Sequence, residues 1–252
     1  MSTERNIRLE IDYDGTAYSG WQVQGSERTI QGEIVQAIHR VTGFQVNLIG
    51  AGRTDAGVHA LGQVANFCIE HRLEPEKYRD AVNFYLPEDI RVLRSEEVLL
   101  EFHARFDARA RRYRYLISGG DSAVHRRRRW HFTKELDFER LRRAASMVLG
   151  EHDFAPFCVV LSRKENNVCR VDASRWYRHG PLLVYEIRAD RFLHGMVRSL
   201  VGAMVNLATV SPDRNRLNLT EEVFSDMLAH QTETRVPFTA PAHGLYLVRV
   251  IY

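Results

Sequence analysis

Two hydrophobic periods alternate along this chain, and their order limits the folds open to it. Residues 6–13 set Ile7, Leu9, Ile11 and Tyr13 two apart, the period of a strand with one buried face, and Asp14-Gly15 ends the run. Thr29 then caps a stretch carrying Ile30, Ile34, Ala37, Ile38 and Val41 at helical spacing, closed by Gly43. Strand patterns over 46–49 and 63–69 follow. A helix opening near Pro75, with Tyr78, Ala81, Val82 and Tyr85, and a strand over 90–99 complete a β-α-β-β-α-β series.

The remainder approximates the same series. A strand over 111–118 precedes a helix from Asp137 to about Leu149. Strands over 168–178 and 182–189 flank a His179-Gly180-Pro181 turn. Residues 192–210 are apolar nearly all round except His194, Arg198 and Asn206, as in a buried helix. A short helix over 221–230 and a strand over 245–252 end the chain. The expected class is α+β: two ferredoxin-like halves, residues 1–104 and 105–252, joined into one mixed, mostly antiparallel sheet with helices packed on it and a central active-site cleft.

At 252 residues such a chain has ample material for a core. Cys68, Cys158 and Cys169 share no close spacing, so neither a disulfide framework nor a zinc site is indicated. No apolar run approaches membrane-spanning length, and a soluble cytoplasmic protein is expected.

Chemistry concentrates between Gly50 and Gly62, where Gly50-Ala51-Gly52-Arg53-Thr54-Asp55-Ala56-Gly57-Val58-His59-Ala60-Leu61-Gly62 sets a guanidinium and a carboxylate in a loop of little side-chain bulk. A ligand can approach such a backbone closely, and Arg53 is placed to favour an ionised Asp55, a nucleophile or base. The same Asp-Ala-Gly also makes an ordinary turn. The segment lacks the Gly-Lys-Ser/Thr of a phosphate-binding P-loop and the spacing Gly-x-Gly-x-x-Gly, which disfavours nucleotide hydrolysis.

The net charge of +3 conceals bunching. Arg105, Arg109, Arg111, Arg112 and Arg114 interleave with Phe106, Tyr113 and Tyr115, and Arg126, Arg127, Arg128 and Arg129 run unbroken into Trp130. Arginine among aromatics suits phosphate and base contact; the plainer reading is a solvated basic face. Tyr113, flanked by Arg112 and Arg114 on a strand, faces opposite to them, toward core or ligand. Arg198 sits among residues that argue for burial, so it pairs with Asp55, pairs with a structural acid such as Asp190, or reaches the surface. His59 and His194 have no partner at metal-ligand spacing, and no metal is assigned.

Residues 52–60 resemble the signature of the tRNA pseudouridine synthase A family. Further segments similar to that family occur in order along the chain: Tyr13-Asp14-Gly15-Thr16, Gly20-Trp21-Gln22, Asn83 with Leu86-Pro87, residues 102–106, Arg112-Tyr113-Arg114-Tyr115, Met196-Val197-Arg198 with Val201-Gly202, and Gly244-Leu245-Tyr246-Leu247. The resemblance implies isomerisation of uridine to pseudouridine in the anticodon stem-loop of tRNA, at tRNA positions 38, 39 and 40. It implies Asp55 as the essential carboxylate, Tyr113 against the target base and Arg198 paired with Asp55. Arg53, Thr54 and His59 join Tyr113 as substrate-binding residues, with Leu245 as part of an apolar floor. Arg105, Arg111, Arg112, Arg114 and the 126–129 run become RNA contacts, and a homodimer acting on tRNA is expected.

The implied reaction breaks the bond from ribose C1′ to uracil N1, turns the base and joins C1′ to C5. It neither changes oxidation state nor loses a group, so no cofactor is expected. A carboxylate adding to C1′, adding to uracil C6, or removing a ribose proton would serve equally. The rival reading is a non-catalytic RNA-binding protein of two ferredoxin-like units. It would carry the run Lys/Arg-Gly-Phe/Tyr-Gly/Ala-Phe-Val, which does not occur here.

Overall fold

A computed structural model describes residues 4–120, 122–163, 165–210, 219–229, 236 and 238–252. These hold ten strands in mixed, mostly antiparallel pairing and five α-helices, so the class is α+β. The chain divides into two compact units, Met1–Arg109 with Tyr246–Tyr252, and Ala110–Leu245.

In the first unit, β1 (Arg5–Tyr13), β2 (Ile49–Gly50), β3 (His59–Ile69) and β4 (Ile90–Val98) surround α1 (Ile30–Thr42) and α2 (Tyr78–Tyr85) in the expected order. The two-residue period of β1 holds: Ile7, Leu9, Ile11 and Tyr13 are all buried. β1 pairs antiparallel with both β3 and β4. Thr29 caps α1 by accepting from Gly32 N–H, and Gly43 ends it at φ 78°. Phe67 on β3 meets Tyr78 of α2 edge-on at 5.7 Å. On the other face, Asn66 donates to Asn6 at 3.0 Å, and Asn6 donates to Leu99 and Phe102 carbonyls at 3.0 and 2.9 Å.

Three expectations are corrected here. Residues 46–48 are not strand, because Gln31 on α1 donates to the Leu48 carbonyl at 2.8 Å and takes it out of any ladder. β3 begins at His59 rather than Gln63, so the end of the glycine-rich segment is strand. The boundary expected at 104/105 falls at Arg109/Ala110, and β10 (Leu245–Ile251), expected in the second half, contributes Tyr246 onward to the first unit, where it lies parallel to β3. Close approach makes that pairing possible: a Cβ on Gly62 would stand 2.7 Å from the Val248 carbonyl oxygen.

The second unit contains β5 (Ala110–Ser118), β6 (Trp130–His131), α3 (Phe138–Met147), β7 (Gly150–Asp153), β8 (Val168–His179), β9 (Leu182–Ala189), α4 (Met196–Ala208) and α5 (Glu221–Leu228). The order β5-β9-β8-β7 is antiparallel throughout, with β6 parallel to β5. β6 and β7 are additions to the expected series, too short to show a period. The expected end of α5 at His230 lies outside the described residues. α4 is buried apart from Arg198 and Asn206, as its composition requires, but begins only at Met196 because Gly195 takes φ 75°. Among the described residues no helix is long and apolar enough to cross a membrane.

Gly202 tests this packing. Alanine in a helix is worth about 1 kcal/mol over glycine. A Cβ at Gly202 would stand 2.3 Å from the Phe238 carbonyl oxygen, and overpacking against backbone costs about 1–3 kcal/mol. Gly202→Ala is therefore expected to lower the urea midpoint despite its better helix propensity.

Candidate active site

The loop leaving β2 is pinned at its base by Ala51 N–H to the Val64 carbonyl and by Gln63 Nε2 to the Gly52 carbonyl, both 2.8 Å. At its tip, Val58 N–H returns to the Asp55 carbonyl at 3.1 Å, closing a turn whose third residue, Gly57, takes φ 78°. Residues 13–21 build a wall against this loop. Trp21 N–H donates to the Thr54 carbonyl at 3.0 Å, and the Tyr13 and Thr54 hydroxyls bond at 2.8 Å. A Cβ on Gly20 would lie 2.7 Å from the Thr54 carbonyl oxygen, and one on Gly15 only 2.0 Å from that of Val58. Gly20 also takes φ 95°. The loop thus has its backbone held from two sides, leaving Arg53 exposed and Asp55 half-buried.

The same arrangement encloses His59. Expected to touch substrate, it is buried; its Nδ1 accepts Gly15 N–H at 3.1 Å, and its ring stacks on Tyr246 at 4.7 Å. It supports the wall through Gly15 and Tyr246. Thr54 is likewise buried, with its hydroxyl spent on Tyr13.

In the second unit, Tyr113 on β5 is 7% exposed and meets Phe192 edge-on at 4.9 Å. Arg198, half-buried on α4, donates through Nε to the Ala240 carbonyl at 2.8 Å, while Ala240 N–H returns to the Arg198 carbonyl at 3.1 Å. The same chain segment gives its Pro241 carbonyl to the Tyr115 hydroxyl at 2.7 Å. Burial pushes that hydroxyl far above its ordinary value, against the pull of nearby Arg198. Leu245, the first residue of β10, is buried. Among the described residues no three His, Cys, Asp or Glu side chains gather to hold a metal ion.

The basic residues separate. Arg105, Arg126, Arg127 and Arg128 are exposed and Arg129 half-buried; Arg105 lies beside the Phe106 ring, and Arg126 donates to the Ala123 carbonyl. Arg111 donates to the Asp190 carbonyl at 2.9 Å. Arg112 and Arg114, expected as RNA contacts, pair with Glu186 of β9, which also accepts from Arg175 of β8 at 2.8 Å. Sequence reasoning passed over Glu186. Its signal was a lone acid amid Leu182-Leu183-Val184-Tyr185, which strand pairing sets opposite Arg114 and Arg175.

Burial would raise the Glu186 carboxyl, but hydrogen bonds from Arg112 and Arg175 outweigh it and hold it below its ordinary value of 4.5. A lowered folded value means its stabilisation is complete above that ordinary value and is lost as pH falls through the folded one. Urea midpoints taken from pH 6 downward should therefore fall less steeply for Glu186→Gln than for the unaltered chain. Tyr13→Phe, which strips the buried Thr54 hydroxyl of its partner, should lower unfolding free energy by about 1–3 kcal/mol in the same assay at neutral pH.

A family model described as tRNA pseudouridine synthase matches residues 11–107 and 144–252, which include Asp55 and Arg198 but not Tyr113. Curated relatives described as tRNA pseudouridine synthase A include a protein of Acetivibrio thermocellus, 41% identical over 98% of this chain and 100% of its own length. One of Chlorobium luteolum is 43% identical over 98% and 96%, and one of a Thermoanaerobacter species 39% identical over 98% and 100%. A solved structure titled "Crystal Structure of a Cbf5-Nop10-Gar1 Complex" aligns with 78% of this chain and 52% of its own at 13% identity and TM-score 0.34, too low to support a conclusion.

Proposed function

The chain belongs to the tRNA pseudouridine synthase family, and on that premise we propose that it isomerises uridine to pseudouridine in the anticodon stem-loop of tRNA with Asp55 as its catalytic carboxylate. The observation that carries this reading is the way the Asp55 loop is built. Glycines at 15, 20 and 57 and bonds from Tyr13 and Trp21 immobilise its backbone, while the carboxylate itself is left half-buried in a loop of small residues. A group that must meet a ribose or a base in one orientation needs such a frame.

The roles divide between the two units. The first supplies Asp55 and Arg53, and the second supplies Tyr113 and Arg198. Whether the carboxylate adds to ribose C1′, adds to uracil C6 or removes a ribose proton, each route begins with Asp55 against the nucleoside. The family resemblance assigns Arg198 as its guanidinium partner, and the Nε bond to Ala240 orients that guanidinium within the second unit. Tyr113 holds the target base, with Phe192 fixing its ring and Leu245 as apolar floor. Lifting a uridine from its stack costs a few kcal/mol, which stacking and the exposed arginines at 53, 105 and 126–128 offset. The enzyme works in the cytoplasm as a homodimer, on the strength of the family resemblance.

The test is tritium release from tRNA carrying uridine labelled at C5, with no metal or nucleotide added. Wild type should release tritium, and Asp55→Asn should release it more than about a thousandfold more slowly while still binding tRNA. Arg198→Ala should lower the rate steeply, and Arg198→Lys should restore part of it. No release by wild type, with tRNA still bound, would replace this reading with a non-catalytic RNA-binding protein.

A further inference from the structure

Strand alternation gives the second unit's sheet two unlike faces. Tyr113 pairs with Ile187 and Tyr115 with Tyr185 on the face that α3 and α4 cover: Trp176 of β8 reaches Met204 of α4, and Arg178 lies over Phe138 of α3. The opposite face carries Arg112, Arg114, Arg175 and Arg188. Three of these converge on Glu186, and Arg188 bonds Asp172 at 2.5 Å.

Within this cluster four guanidinium groups meet two carboxylates, which leaves the cluster positive. Glu186 is nearly closed to solvent, its side chain 5% exposed, whereas those of the arginines are 33–64% exposed. One carboxylate accepts about four hydrogen bonds at most, fewer than three guanidinium groups can donate. Glu186 therefore orders Arg112, Arg114 and Arg175 without exhausting them. Arg175 also lies over the Tyr177 ring at 5.5 Å. Ordered, planar donors on an open positive face are what phosphate oxygens accept from. A second copy of the same face is a poor occupant, since a two-fold contact would set these arginines against themselves.

We infer that the Arg112, Arg114, Arg175 and Arg188 face binds the phosphate backbone of an RNA segment other than the one that holds the target uridine. The segment must differ because Tyr113, which holds the base in the reading above, points through the other face of the same strand. The inference rests on that reading, and it identifies the ligand as a tRNA larger than its anticodon arm.

The test compares Arg175→Ala, Arg188→Ala and the double variant with wild type. Binding of full-length tRNA and of an isolated anticodon stem-loop is measured by anisotropy over a series of salt concentrations. The double variant should weaken full-length tRNA binding about tenfold and reduce the slope of log affinity against log salt by about 2, with stem-loop affinity changed less than about twofold. Arg175→Lys should keep most of the slope. Equal losses for both RNAs would overturn the inference by placing this face on the anticodon arm. Unchanged tRNA binding would also overturn it, and a fall in oligomer mass by light scattering would then mark a protein interface. Tritium release by wild type, run alongside, reports separately on the reading beneath it.

Discussion

The structure depends most on the contact between two backbones, residues 13–21 and residues 54–59. Gly15 and Gly20 stand where any side chain would strike the carbonyls of Val58 and Thr54, so the two segments approach as closely as peptide groups can. Trp21, Tyr13 and His59 then spend their polar atoms on that contact. A loop of small residues would otherwise sample many shapes, because glycine loses the most freedom on ordering. Two-sided hydrogen bonding at short range offsets that loss. Asp55 is thus held in place by its neighbours' backbone.

The second unit solves a different problem. Its helix-covered face is built from Tyr113, Tyr115, Tyr185 and Trp176, and the polar tips of the last three find Pro241, Ser174 and Met204 in turn. Its other face is charged, and a single buried carboxylate keeps three arginines from splaying apart. Removing Glu186 would leave like charges on neighbouring strands, which is unfavourable across a sheet. The same strand, β5, thus serves an aromatic face and an electrostatic one, and the alternation of Arg112-Tyr113-Arg114-Tyr115 is the reason.

Much of the fold was legible because local rules agreed with it. The period of β1, the Thr29 and Gly43 caps of α1 and the nearly all-apolar α4 each say in their own residues what they become. The failures have physical causes as particular. Residues 46–48 look like strand, yet a side chain from α1 takes the Leu48 carbonyl. Strands as short as β6 and β7 hold too few residues for a period. His59 became a ligand contact only through the family resemblance; that Gly15 and Tyr246, one distant on each side in sequence, enclose it could not be read locally.

What the sequence by itself determined is the inventory: an α+β chain, an arginine and an aspartate in a loop of small residues, arginines alternating with tyrosines, and a resemblance spread along the chain. Only the tertiary structure decided how these are used. It assigned the last strand to the first unit, made His59 a support, and turned Arg112 and Arg114 from independent charges into members of a cluster ordered by Glu186. The reason is common to all three. Periodicity and motif are local properties, whereas parallel strand pairing, burial of a histidine and convergence on one carboxylate are set by residues tens to hundreds of positions apart, which meet only when the chain has folded.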